Sequence, residues 1–250
     1  MSVTRLILIQ IDRLKAFEYK LSEKGKMELR FFEIYRSSEY MSLIFSGALT
    51  SFGLTVTAGV FGFLLAFVLA VLRFKKIPIL QYIAAAYIDF IRNTPLIVQL
   101  FFIAFGLPLL FGYVWPFWCH ALLALTINFS GYFAEILRSG FASTQKGQLE
   151  AAAALNLSNR TIFSSIIVPQ TLIKMYPSLS SQFVFLFLTT GVISEIGVED
   201  LTHAGLYIDS RTFRSFEVFI VLTAIYVFIA LFFKAFLNLV FTKTLGRRVA

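Results

Sequence analysis

YMSLIFSGALTSFGLTVTAGVFGFLLAFVLAVL, residues 40–72, contains no Asp, Glu, Lys or Arg. A helix needs roughly 20 apolar residues to cross the hydrocarbon core of a bilayer, so this run is long enough to span one. Its four glycines, Gly47, Gly53, Gly59 and Gly62, admit two readings: sites where neighbouring helices approach closely, or glycines tolerated in contact with lipid. The run ends on the basic cluster Arg73, Lys75 and Lys76. After a linker over residues 77–92 comes a second charge-free window, residues 93–134, too long for one helix. Gly112 and Pro116 break it inside GYVWPFW, where Tyr113, Trp115 and Trp118 have the character of an interfacial aromatic belt. Spans two and three therefore flank residues 112–118. A polar connection over 138–174 leads to span four, residues 175–194, and a polar turn over 195–215 leads to span five, about residues 216–233.

An all-α integral membrane protein of about five transmembrane helices is the fold class this pattern predicts, and the composition agrees. Hydrophobic residues make up 58% of the chain and charged residues 14%, with 30 Phe among the 250 residues, which is no soluble surface. One cysteine, Cys119, excludes an internal disulfide framework and a cysteine metal cluster. The net charge of +8 sits at the edges of apolar runs and forms no stripe, which points to membrane orientation and away from nucleic acid. The apolar stretch LILIQI near the start is too short for a cleavable signal peptide and has no small-residue cleavage site behind it.

Two regions follow: a polar tail over 1–39, with eight basic and six acidic side chains, and a transmembrane domain over 40–250. No internal repeat or Gly/Ser linker marks a further domain. Placing the 138–174 connection in the cytoplasm gathers Arg73, Lys75, Lys76, Arg138, Lys146, Arg160, Lys243, Arg247 and Arg248 on that side. Only Arg211 and Arg214 remain on the opposite turns. That asymmetry, with five spans, predicts an N-terminus outside and a C-terminus inside.

GQLEAAAALNLSNRTIFSSIIVPQ, residues 147–170, is the most informative polar segment. Alanine is the best helix former, so Leu149–Leu155 reads as a short helix with Glu150 near its N-terminus, complementing the dipole. Asn156 suits the left-handed position that ends such a helix. Ser158 is placed to cap a second short helix, with Ile162, Ile166 and Ile167 on a helical period until Pro169 stops it.

At these residues the chain resembles the permease subunits of bacterial ABC importers. Their cytoplasmic signature is EAA, three residues, Gly, nine residues, Ile, one residue, a Leu-like residue and Pro. Glu150, Ala151, Ala152, Ile166, Val168 and Pro169 match it, and Asn156 stands in place of the glycine. RNTPLIVQLF at 92–101 and GYFAEILRSGFASTQKGQLEAA at 131–152 look like the polar amino-acid branch, usually worded close to RGTPLLVQLF and AYIAEIVRGGIQSVPKGQWEAA. The likeness runs from about Gly47 to the C-terminus and includes SEIGVEDLTHAG at 194–205. Ahead of that segment Leu188 and Thr189 replace the family's Lys-Asp pair, and Glu195 takes a position that is normally apolar.

The resemblance implies import of a polar amino acid by alternating access in a bacterial cytoplasmic (inner) membrane. It implies that Glu150, Ala151, Ala152, Asn156, Ile166 and Pro169 form the coupling element that docks on an ABC ATPase. It further implies a second permease subunit, the same or similar, and a soluble substrate-binding protein. The chain has no GxxxxGK[ST] phosphate loop, so ATP and Mg are expected on the partner ATPase, with no cofactor bound by this chain.

Candidates for the substrate path are Arg92, Thr94, Gln99, Glu135 and Glu195. Three of them have a plainer reading as well. Arg92 can snorkel at the membrane boundary beside Pro95, which suits a helix start. An acidic group at the centre of a membrane helix costs about 2.5–3.5 kcal/mol on insertion scales, so Glu135 either pairs with Arg138 at i, i+3 or serves transport. Glu195 either meets an α-amino group or is a solvated helix end. His120 and His203 are isolated, and no metal-ligand spacing surrounds either.

Competing functions lack their signatures. An ion-gradient-driven secondary transporter, the main alternative, ordinarily shows inverted repeats and interrupted helices at matching places. An intramembrane enzyme needs grouped catalytic or ligating side chains at one depth, and a channel needs a TVGYG-like filter or a ring of charge.

Overall fold

A computed structural model describes residues 31, 32 and 36–244. Most of the 1–39 tail, and Arg247 and Arg248, lie outside the described residues. Helix α1 spans Ser38–Phe74, starting where the Ser37 hydroxyl accepts the Tyr40 amide at 3.3 Å. At 1.5 Å per residue its 37 residues reach about 55 Å, more than the hydrocarbon thickness, so its ends stand clear of it. Helix α2 is Leu80–Arg92 and α3 is Leu96–Phe111, the latter with a π-turn over Phe102–Gly106. Helix α4 is Phe117–Ala142, α5 is Lys146–Ala154, α6 is Asn159–Ile196, α7 is Leu201–Thr212 and α8 is Ser215–Thr244. Four of these, α1, α4, α6 and α8, are long and apolar enough to cross a membrane, and α2 with α3 makes a fifth span if the bent pair counts as one.

Three expectations are corrected. Residues 77–92 are mostly helix α2, bent by 106° against α3, and not a linker. Pro95 enforces that break: it has no amide to continue the ladder and disfavours helical geometry at Thr94. The polar turn over 195–215 contains α7, started by the Asp200 side chain accepting the His203 amide at 2.8 Å. Pro169 does not stop a second short helix. A π-turn over Ile162–Ile167 comes just before it, so the chain runs on from Asn159 to Ile196 as one helix. The proline lies at the start of the new register, where a missing amide and the clash with the preceding turn are absorbed.

Helix α4 is the hub. One face of it is buried from His120 to Phe141, and α1, α2, α3 and α6 all pack on it. Lipid supplies no hydrophobic drive between helices, so close packing of small residues does the work. A Cβ at Gly62 would sit 3.2 Å from the Thr126 carbonyl oxygen, and one at Gly59 would sit 2.3 Å from the Phe183 ring. At Gly47 it would lie 2.6 Å from the Asp200 carbonyl oxygen, whereas Gly53 faces open space. Three of the four glycines in α1 are thus contact sites and one is not. A second cluster joins Ile44 of α1, Leu201 and Ile208 of α7, and Val218 and Leu222 of α8.

Candidate functional site

Two regions carry the candidate residues: the surface built by α5, and the polar side chains around the α2–α3 break. At the first, α4 ends with the Ser143 hydroxyl donating to the Gly140 carbonyl at 2.8 Å, and Lys174 of α6 donates to the Ser143 carbonyl at 3.4 Å. Helix α5 then runs for nine residues, beginning three residues earlier than its alanines suggest. Glu150 is therefore in the second turn, beyond the first turn where the dipole acts on a carboxylate. Ala152 is buried and Leu149 packs on the main core, while Glu150, Ala151, Ala153, Ala154 and Leu155 are exposed.

The end of α5 is held by backbone geometry. The Asn156 amide donates to the Ala153 carbonyl at 2.9 Å and the Leu157 amide to the Ala152 carbonyl at 3.2 Å, with Asn156 at φ +53°. This is a Schellman ending with asparagine in the left-handed position, as the sequence suggests. Ser158 then accepts the Thr161 amide at 3.1 Å and opens α6. The capped turn presents Leu155, 73% exposed, with Leu157 beside it and Glu150 one turn back, on a knob at the end of α5. Ile166 and Pro169 are half-buried in the first turns of α6, so the signature residues divide between an exposed knob and the root of a span.

At the second region Gln99 is a latch across the helix break. Its amide nitrogen donates to the Ile91 carbonyl at 2.8 Å, the Thr94 carbonyl at 3.2 Å and the Thr94 hydroxyl at 3.1 Å. Its oxygen accepts from Asn128 of α4 at 3.0 Å. These bonds satisfy the Ile91 carbonyl, which Pro95 has no amide to serve, and the Thr94 carbonyl freed by the break, which is how a broken helix survives at membrane depth. Thr94 in turn donates to the Phe90 carbonyl.

Glu135 sits between two guanidinium groups. Arg73 of α1 donates to it at 3.1 Å, and Arg138 donates through Nε at 3.1 and 3.0 Å and through Nη2. The i, i+3 pair expected from sequence is present, and Arg73 extends it to a bridge between α1 and α4. Arg92 is exposed, with its guanidinium 5.8 Å from the Tyr132 ring centre, and Glu195 is exposed near the end of α6. Arg92, Thr94, Gln99 and Glu135 thus gather at the α2–α3–α4 junction, and Glu195 stands apart from them.

Some polar positions went unread in the sequence. Asn128 completes the Gln99 latch. Asp200, fully buried, anchors α7 to α1: the Ser51 hydroxyl donates to its carboxylate at 3.5 Å and accepts the Leu201 amide at 3.2 Å. Burial pushes the Asp200 carboxyl up to about 6, against the backbone hydrogen bonds of His203 and Thr202. The Asp-Leu-Thr-His wording is a helix-start signal that was there to be read. His120 is buried among Tyr113, Trp115 and Phe117, and its ring lies nearly parallel to that of Tyr113.

With this geometry in hand, similarity to known proteins is informative. Residues 58–245 match the family described as binding-protein-dependent transport system inner membrane component. The L-cystine transport system permease protein TcyL of Bacillus subtilis is 34% identical over 183 residues, covering 70% of this chain and 76% of TcyL. The probable glutamine ABC transporter permease protein GlnP of the same organism is 32% identical over 176 residues, covering 70% and 80%. Among solved structures, "Crystal structure of an amino acid ABC transporter with histidines" superimposes with a TM-score of 0.77 at 34% identity, over 85% of this chain and 98% of the other.

Proposed function

The chain belongs to the family of inner membrane components of binding-protein-dependent transport systems, and on that premise we propose that it is the permease subunit of an ATP-driven importer of a polar amino acid. The observation that carries this is the α5 knob. An exposed, apolar-tipped helix with a fixed C-terminal turn, rooted through Leu149 and Ala152 in the core, is the element a soluble ATPase would grip. Its flanks are α4 and α6, so a displacement at the knob reaches two spans that pack on each other.

Motion then follows from rigid elements. Two ATPase subunits, holding ATP and Mg, change the spacing of the knobs of two permease subunits of the same or similar sequence. Helices α4 and α6 carry that change across the bilayer, and access alternates between the two sides. A soluble binding protein delivers substrate on the outer side. Glu150, Ala151 and Asn156 form the docking surface, the buried Ala152 roots it in the core, and Ile166 and Pro169 set how α6 leaves it. The orientation is N-terminus outside and C-terminus inside, because that assignment collects the basic residues of the knob, the 75–79 turn and the end of α8 on the cytoplasmic side. The domain division is the polar tail over 1–39 and the permease domain over 40–250, with the coupling loop within 138–174.

On the path, Arg92 and Glu195 are the candidates with no hydrogen bond or ion pair among the described residues. Both are exposed and of opposite charge, suited to the carboxylate and the α-amino group of an amino acid at different stages of passage. Thr94, Gln99 and Glu135 act by holding the α2–α3 break and the α1–α4 bridge in shape. Similarity to TcyL, GlnP and the amino acid ABC transporter supports amino-acid import and lends none to the ion-gradient alternative.

The test is reconstitution in liposomes with the cognate ATPase and binding protein, following uptake of labelled polar amino acids in wild type and Glu150→Lys. Uptake that requires ATP and collapses in the variant, with weakened ATPase association, is expected. Uptake driven equally by an ion gradient without any ATPase would overturn the importer reading.

A further inference from the structure

A recess of about 440 Å³ lies where α1 ends and α2 begins, lined by Arg73, Lys76, Gln81, Tyr82 and Arg138 among others. Three cations face it. Arg73 and Arg138 each give part of their hydrogen-bonding capacity to Glu135, but Nε and Nη2 of Arg73 and Nη1 of Arg138 have no partner among the described residues. Lys76 has no ion-pair or hydrogen-bond partner for its ammonium among them either, and neither Gln81 nor Tyr82 uses its side-chain polar group. Lys75 turns the other way, 4.9 Å above the Phe163 ring, while Lys76, at φ +51°, lines the recess. Beyond the rim, Asp89 acts on Arg138 and Arg92 acts on Glu135. Four cations against two carboxylates leave the neighbourhood positive.

An excess of positive charge with unused donors calls for an anion, and the surroundings say which kind. Tyr82, which lines the recess, is 71% exposed, and the exposed side of α2 continues from it to Ile83, 59% exposed. A free phosphate ion has no use for that apolar flank. A phospholipid uses both parts, its phosphate among the cations and its acyl chains along α2. The recess sits at the end of a candidate membrane span, where basic side chains meet lipid headgroups.

We propose that this recess binds the phosphate group of an anionic phospholipid, with Lys76, Arg73 and Arg138 as donors and the exposed face of α2 as the bed for its acyl chains. On the orientation proposed above the lipid belongs to the cytoplasmic leaflet. Glu135 keeps the two arginines apart and aimed, so the bound phosphate completes a charge cluster that α1, α2 and α4 share. The lipid thereby braces the root of the bent pair.

Native mass spectrometry of the full chain in its assembled transporter, released from vesicles of phosphatidylcholine with or without phosphatidylglycerol, reads this directly and does not depend on uptake. Wild type is expected to retain one phosphatidylglycerol per copy of this chain in preference to phosphatidylcholine. Lys76→Gln, which removes an ammonium with no ion pair among the described residues, is expected to lower that retention about fivefold, the effect of one lysine near a membrane surface. Arg73→Gln is expected to lower it as well. Unchanged retention in Lys76→Gln would overturn the proposal. So would displacement of the lipid by millimolar inorganic phosphate, which would mark a free-anion site. Disulfide formation between two copies carrying Ile83→Cys, with no lipid retained, would make the α2 face an interface between copies instead. Should retention behave as expected while ATP-driven uptake is absent, the lipid site stands and the importer reading falls.

Discussion

Replacing Asn156 isolates one torsion angle at the tip of the proposed docking helix. Its φ of +53° places a Cβ where L-residues lose about 1–2 kcal/mol, with glycine exempt and asparagine partly so. Asn156→Ala should therefore raise the energy of the capped turn by about 1 kcal/mol and Asn156→Val by about 2, whereas Asn156→Gly should cost nothing. Helix α5 has nine residues and buries little beyond Ala152, so the cost falls on local opening and not on global unfolding. At 1.4 kcal/mol per tenfold, amides in the 155–157 turn should exchange about fivefold faster in the alanine variant and about 25-fold faster in the valine variant. Hydrogen exchange of peptides covering 149–158 measures this, with the thermal midpoint as a check that the bundle is intact. ATP-driven uptake should fall in the same order if the knob is what the ATPase grips. Equal protection in the glycine and alanine variants would refute the torsional argument. Lost protection with undiminished uptake would refute the docking role.

Glu135→Gln removes the carboxylate between Arg73 and Arg138, a half-buried site between the surface and buried limits, and should lower stability by about 1–3 kcal/mol. A double-mutant cycle with Arg73→Gln should show coupling, and additive effects would dismiss the α1–α4 bridge. Gln99→Leu strips the Asn128 amide of its acceptor and the Ile91 and Thr94 carbonyls of a donor, which should cost about 1–3 kcal/mol. A changed KM for uptake with unchanged stability would put Gln99 on the path instead. Asp200 titrates at about 6 in the folded protein against roughly 3.9 when unfolded, so the folded state holds the extra proton between those values. Its stabilising contribution is present below about pH 4 and is lost as pH rises through about 6. The thermal-midpoint difference between wild type and Asp200→Asn should therefore shrink or invert from pH 4.5 to 7.5, and a pH-independent difference would contradict the buried-carboxylate picture.

How far the sequence carried each part depends on how local the cause was. The left-handed Asn156 and the Ser158 cap were legible because each is decided by residues within a turn of itself. Helix α5 was legible in kind but began three residues early, since Lys146–Gln148 have no local reason to stay out of a helix. Pro169 misled because a proline reads as a stop, whereas the π-turn that accommodates it spreads over six preceding residues with no composition signal. Glu135 was seen to face Arg138 because i, i+3 is fixed by helix geometry, but Arg73, 62 positions away, could not be paired with it. Likewise Gln99, a path candidate by sequence, is occupied by Asn128 and the carbonyls of the α2–α3 break, partners that the sequence does not pair with it.

Charge-free runs, glycine and proline breaks, and the EAA signature are written along the chain, and the bilayer translates the first directly into spanning helices because no other backbone is satisfied in hydrocarbon. That much is independent of tertiary structure, and it extends to the family. Which face of each helix meets protein is another matter. Gly47, Gly59 and Gly62 touch neighbours while Gly53 does not, although all four lie in the same apolar helix. Lipid and protein interior are equally apolar, so hydrophobicity leaves no periodic mark to tell them apart, and the choice is made by the shape of the opposing helix. The same holds for the polar groups: Asp200 beside Ser51, Glu135 between two arginines and Lys76 at an open recess owe their roles to neighbours brought in from distant segments.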